Sequence, residues 1–376
     1  MLRPMTLSTA LSALAMSAAA AGELYVPVLV PVTGFLALEG TSQRNGAEMA
    51  LAQGVEGHDV RHTVTDTGVS PEQAVTAMER ALGEGDPLAV VAPMLGTQML
   101  ALLPLGLDYE VPLLTVSGTA EITAQGNPWV FRFFPGDDVV KVAHADYAVN
   151  EMGMQRPALI YQTTAYGQSG QAALKESLAA LGVTPVLEEG IPVEAREMLP
   201  VLSRAVEAGA DGLILHLHAG STALVIRQAH AMGLELPIAA GSAMHQPATA
   251  ELLEPAELEG VCAESGSAPN ADDRPEVQAW TEAYRARFGI EPDAFALGQY
   301  DAVRMLLAAA ADGADTAEAA REWLATNSFE GLAMTYRSDG NGSMAHDAVI
   351  ICYDGTSRTP AVVKRYQDVD GVLAGN

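Results

Sequence analysis

The chain has 376 residues and carries 20 Lys and Arg against 47 Asp and Glu, a formal charge of −27; this excludes a nucleic-acid binder and disfavours an anionic membrane surface, since both need a basic face. Hydrophobic content of 49% with only 5% aromatic supports a mostly aliphatic core, 18% charge is too little for a disordered chain, and the length fits about two domains. Two cysteines exclude a disulfide scaffold and a four-Cys zinc site, and three lysines (Lys141, Lys175, Lys364) leave few candidates for a phosphate-loop or Schiff-base lysine.

Residues 1–21 read as a secretory signal peptide. Arg3 supplies the positive start, an apolar stretch runs from Leu7 to Met16, and Ala19, Ala20 and Ala21 offer a small-residue cleavage site near Ala21. The apolar run is shorter than the roughly 20 residues a spanning helix needs. No other run of 18 apolar residues occurs, so the mature protein is expected not to be membrane-embedded. Export with two cysteines points to a bacterial periplasm or cell surface.

From Glu23 onward, short aliphatic runs alternate with Ala-rich amphipathic runs. Residues 24–30 (LYVPVLV) read as a strand ended by the breakers Pro31 to Gly34. Thr41 or Ser42 is placed to cap a helix running to about Gln53. Strands follow at 60–65, 88–92 and 111–116. Ser70, Pro71 and Gln73 mark a helix start, and Gly96-Thr97 open another helix. The alternation then restarts, with strands at 158–161, 211–217 and 237–240 and helices at 166–181 and 221–232. Long helical runs at 274–288, 293–311 and 316–326 precede a tail of hairpin-like runs at 334–337, 349–353 and 361–366. Strand–helix repetition predicts parallel sheets covered on both faces, each with a cleft at the carboxyl ends of its strands.

These runs, taken in order, carry a resemblance. Val32-Thr33-Gly34 after the first strand, Asn45-Gly46-Ala47-Glu48-Met49-Ala50, the segment from Val111 to Ala120, Tyr166-Gly167-Gln168, Arg227-Gln228-Ala229 and Tyr300-Asp301-Ala302 together resemble the type I periplasmic solute-binding proteins of the branched-chain amino acid (leucine/isoleucine/valine) group. Those proteins serve ATP-driven (ABC) importers, and the resemblance spans essentially everything after the signal. It implies an α/β fold of two Rossmann-like lobes with parallel central sheets joined by a three-segment hinge. Lobe one is expected at 22–137 plus 268–345, and lobe two at 138–267 plus 346–376. It further implies a monomer without cofactor or enzymatic activity, whose partners are a small-molecule ligand and a membrane permease.

Several residues are placed to hold a ligand. The helix start at Gly96-Thr97 offers free N–H groups and a dipole suited to a carboxylate. Ser117-Gly118-Thr119 adds two hydroxyls and a glycine that admits close backbone approach. Family members bind a ligand carboxylate at these positions, and the resemblance also places Tyr166 facing the cleft. His218 falls where the family has a cleft aromatic, and Phe35 follows the first strand at a place that often lines the cleft. Trp129 is expected in the core. His216 and His218, spaced by two at a strand end, with His245 as a third, form a weak metal pattern without an acidic fourth ligand nearby in sequence. The chain departs from its resemblance at Ser242. Amino-acid-binding members carry a glutamate there for the ligand ammonium, and here no Asp or Glu lies between Pro237 and Ala250. Either another acid replaces it, or the ligand is a simple carboxylate, an amide or an aromatic acid.

Other motifs fail on inspection. The segment from Asp339 to Ser343 resembles a calcium loop, but Met344 and Ile350 stand at the positions that need Gly and Glu; it reads as a hairpin turn. Cys262 and Cys352 lie on strand-like runs, and a disulfide and two buried thiols are both open readings. The leading functional expectation is a transport receptor. A sensor using the same cleft is the alternative, and an exported hydrolase is disfavoured because no base is placed near Ser117.

Overall fold

The computed structural model describes residues 22–369. The signal read at 1–21 lies outside the described residues. The first parallel sheet holds β1 (Val28–Val30), β2 (Val64–Asp66), β3 (Val90–Val91), β4 (Leu113–Thr115) and β5 (Val130–Arg132), in the spatial order β2-β1-β3-β4-β5. The second holds β6 (Pro157–Gln162), β7 (Leu187–Ile191), β8 (Gly212–His216), β9 (Ile238–Ala240), β10 (Val261–Ser265), β11 (Ala348–Cys352) and β12 (Ala361–Tyr366). Its order is β12-β11-β10-β9-β8-β6-β7. The strands from β6 to β10 are parallel, and β11 and β12 add on antiparallel. Among the described residues no helix is long and apolar enough to cross a membrane.

Two main cores follow the two sheets. One joins residues from Leu24 to Phe134 with residues from Val277 to Ala345. The other joins residues from Ala158 to Ala268 with Val349, Ile351 and Tyr353. The chain thus passes between the halves three times.

Local signals placed most helices. Ser70 accepts the Gln73 N–H and Pro71 opens α2 (Pro71–Gly83); Pro lacks the N–H that would go unpaired in a first turn. Asp293 accepts the Ala296 N–H at 2.9 Å and Thr316 the Ala319 N–H, capping the helices Ala294–Ala311 and Ala317–Thr326.

Two expectations need correction. Residues 24–30 are not one strand. Gly22–Tyr25 pairs with His58–Arg61, and only Val28–Val30 enters the main sheet. Pro27 sits at the break, where it has no N–H to donate to a ladder. The run at 60–65 splits in the same way, into His58–Arg61 and Val64–Asp66. Helix α1 starts at Ala37, after a 3-10 turn at Gly34–Leu36, and runs to Leu51. Thr41 and Ser42 therefore lie inside it rather than capping it. Ser42 turns inward to donate to Asp293 at 2.5 Å. Leu36 is buried, and its burial draws the helix start back toward the cleft.

Helix α1 buries an unusually polar face against the helices Pro275–Phe288 and Ala294–Ala311. Gln43 donates to Gln299 at 2.9 Å, and Asn45 donates to the Tyr284 hydroxyl at 3.1 Å. Glycine permits the close approach: a Cβ at Gly46 would stand 2.0 Å from the Ala296 carbonyl oxygen. Cys262 and Cys352 face each other across the β10/β11 ladder and are joined by a disulfide.

Two stability predictions follow from this packing. Gly46→Ala forces the helix pair apart and should cost about 1–3 kcal/mol in urea unfolding; an unshifted midpoint would show that the helices separate freely. Replacing both cysteines by serine releases a loop with a sequence separation of 90 and should cost about 2–4 kcal/mol. Identical denaturation curves for the two proteins would remove the bond from the fold's stability.

Candidate functional site

Strand ends from both sheets converge on one cavity. It holds about 400 Å³ of empty space, its open mouth included. Its apolar wall comes from Leu36, Met94, Leu95, Val116, Phe134 and Phe295, and its polar lining includes Glu39, Gly118, Tyr166, His218 and Ser242. Gly118 follows β4, Tyr166 follows β6, His218 follows β8 and Ser242 follows β9, the carboxyl ends at which parallel α/β sheets bind ligands.

Of the residues expected at the site, Gly118, Tyr166, His218 and Ser242 line this cavity. Ser117 and Thr119 are buried beside Gly118, and neither hydroxyl has a hydrogen-bond partner. Gly96 opens α3 (Gly96–Asp108) against Thr119; a Cβ there would fall 2.1 Å from the Thr119 hydroxyl. No side chain caps this helix start, whose N-cap is Leu95. Thr97 is half-buried and is not among the lining residues. Phe35 stands outside the cavity, its ring 5.1 Å from His218, and with His218 it lines a neighbouring groove. Trp129 is buried.

The two histidines flank Tyr166, with ring centroids 3.9 Å (His216) and 5.2 Å (His218) from it. His216 Nε2 donates to the Tyr166 carbonyl at 3.0 Å. His245 is engaged elsewhere, accepting the Ala294 N–H at 3.1 Å. Among the described residues no group of three His, Cys, Asp or Glu side chains stands at metal-holding distance. Burial holds His218 neutral, its pKa lowered to about 4.

Ser242 is not isolated from charge. Its hydroxyl lies 2.8 and 2.9 Å from the two oxygens of Glu264, one strand away on β10. Lys141 Nζ bonds the same carboxylate, and both side chains are fully buried. Asp137 Oδ1 lies 3.8 Å from Lys141 and 3.6 Å from His216 Nε2. Burial outweighs the nearby lysine and raises the Asp137 pKa to about 7.

Sequence reasoning missed Glu39. It sits in the first turn of α1, is 2% exposed and lines the cavity. Its Oε1 accepts the Ala219 N–H from the other half of the molecule at 3.2 Å, and its Oε2 has no partner. Burial raises its pKa to about 7. One signal was available: a single acid inside the apolar run FLALEG, which helical periodicity from Ala37 would have turned inward. Other contacts also tie the halves together. Ala120 N–H donates to Ser169 Oγ at 2.8 Å, and Gln246 donates to Asp293 at 2.7 Å.

Comparison with known proteins matches residues 23–357 to the family described as periplasmic binding protein. An amino acid binding protein of Pseudomonas aeruginosa is 27% identical over 91% of this chain and 93% of its own. An ABC transporter substrate-binding protein from Sphaerobacter thermophilus superposes with a TM-score of 0.84 at 22% identity, covering 93% of this chain and 99% of that one. The branched-chain amino acid transporter substrate binding protein LivJ of Streptococcus pneumoniae, solved with isoleucine, gives 0.83 at 20% identity, over 91% and 99%.

Folding should couple to protons in two opposed ways. In the folded protein Glu39 sits near 7 rather than 4.5, so between those values acid favours the folded form. His218 sits near 4 rather than 6.5, so there acid favours unfolding. In urea unfolding, Glu39→Gln should therefore lose stability relative to the parent as pH falls through that window, and His218→Gln should gain it. A difference from the parent that is the same at every pH would contradict these assignments.

Proposed function

Because the chain belongs to the periplasmic binding protein family, we propose that it is the solute-capturing component of an ABC importer. It holds a small carboxylate-bearing solute of amino acid size between its lobes and delivers it to a membrane permease. The lobes in this reading are 22–137 plus 268–345 and 138–267 plus 346–376. Residues 1–21 direct export to the periplasm and are removed near Ala21.

One observation carries the reading. The cavity between the halves is built from both of them, and beside it lie buried polar atoms with no partner in the chain: the hydroxyls of Ser117 and Thr119 and one oxygen of Glu39. Buried polar groups are normally satisfied; other exceptions are scattered through the chain, and it is the position of these beside a cavity lined by both halves that supports a ligand supplying the bonds. The two hydroxyls and the uncapped start of α3 suit a carboxylate. The aliphatic and aromatic wall suits a short apolar tail. The relatives' names support the same size and class, since the Pseudomonas aeruginosa protein is an amino acid binding protein. Closure is then a hinge motion in which the ligand contacts both lobes and so stabilises the closed form.

Thr119→Ala should weaken ligand binding by about 1–2 kcal/mol, the scale of one hydrogen bond to a charged group. Titration calorimetry checks it, and an unaltered affinity would take Thr119 out of the site. Delivery to a permease is tested separately: a deletion strain should lose uptake of the ligand, whereas retained uptake would assign the cleft to another role.

A further inference from the structure

The charge around the cavity is distributed in a way that selects ligands. No Lys or Arg is among the described lining residues. The lining residues that can ionise are Glu39, Tyr166 and His218. Burial keeps Tyr166 protonated and His218 unprotonated near neutrality. Glu39 is therefore the group able to place a formal charge on the cavity wall. The other acids nearby are occupied or recessed. Glu264 is taken by Lys141 and Ser242. Asp137 lies behind Gly118, whose Cβ position is 3.4 Å from Asp137 Oδ1. Asp293 holds Ser42, Gln246 and the Ala296 N–H.

Glu39 has two oxygens with different tasks. Oε1 takes a backbone N–H from Ala219, the first residue of the helix Ala219–Ala231 in the opposite half. Oε2 is buried and unpaired, on a residue that lines the cavity. A buried carboxylate without a partner is costly to ionise and stays protonated until a cation arrives. A cationic donor at Oε2 would favour the charged form. The charged form then binds the Ala219 N–H more strongly, because charge-assisted bonds exceed neutral ones.

We propose that Glu39 is the cation receptor of the cleft: its Oε2 takes a primary ammonium on the ligand while its Oε1 holds Ala219, so that an ammonium-bearing solute draws the lobes together. This rests on the solute-capture reading above and adds the ligand's charge to it. The receptor acid comes from the first helix of lobe one. Ser242, which stands in the turn after β9, keeps its hydroxyl on Glu264.

The test is titration calorimetry on the mature full chain with matched probes: each of the common amino acids beside its des-amino carboxylic acid, for parent and Glu39→Gln. The glutamine keeps an acceptor for Ala219 and loses the charge, and thermal unfolding verifies that it folds. Glu39→Asp serves as a charge-retaining control. The expected result is that at least one amino acid binds the parent about tenfold or more tightly than its des-amino partner. Glu39→Gln should erase that preference by weakening the amino acid alone, and Glu39→Asp should restore part of it. A des-amino acid that binds the parent as tightly as its amino acid overturns the inference and leaves solute capture standing. So does a preference that survives in Glu39→Gln. Binding of no probe to the parent overturns both.

Discussion

The rest of this structure depends on how buried polar groups are partnered at the seam between the two lobes. A dry interface requires a partner for nearly every donor and acceptor it covers. Much of the seam meets that requirement internally: Ala219 N–H on Glu39, Ala120 N–H on Ser169, Gln246 on Asp293, and Ala294 N–H on His245. Around the cavity the requirement is not met, and the Ser117 and Thr119 hydroxyls and Glu39 Oε2 are left without partners. Unpaired atoms also occur along the seam, at His245 Nδ1 and Gln246 Oε1, so what sets these three apart is that they lie at or beside the cavity.

Beneath the cavity the problem is solved differently. Lys141 is bonded to the Glu264 carboxylate, which also takes the Ser242 hydroxyl, and Asp137 lies beside them with its pKa raised to about 7 by burial. Buried ion pairs contribute little net stability, but removing one member leaves an uncompensated charge. The effect here is positional. Glu264 is tied down by the lysine and cannot act as the cavity's free acid, and Ser242 presents a hydroxyl whose other side is occupied. The disulfide lies on the same strand, two residues before Glu264, and fixes β10 to β11 directly behind this group.

The fold was largely legible in the sequence, and the site only partly. Strand–helix alternation and helix starts such as Ser70-Pro71, Asp293 and Thr316 depend on neighbours within a few residues, so their patterns survive in any tertiary setting. The first strand was misread because Pro27 is one residue inside a seven-residue aliphatic run, and apolar content hid the ladder break. The start of α1 was misplaced because Ser42 resembles a cap by composition, yet its hydroxyl serves a carboxylate from a distant helix. At the site, Gly118 was placed by its turn after a strand, and Tyr166, His218 and Ser242 by what the family resemblance implies. Glu39 was missed because it precedes the expected helix start.

By itself the sequence determined the alternating α/β order, the hydroxyl- and glycine-bearing turns at the strand ends, and the lack of an acid in the turn after β9. These are local properties, written in periodicity and in residues next to one another. Only the tertiary structure decided which acid reaches the cavity, what Lys141 neutralises and whether the cysteines join. Those outcomes pair residues separated by 180, 123 and 90 positions. Contacts at that range are set by how the two sheets and their helices pack, and no local pattern encodes them.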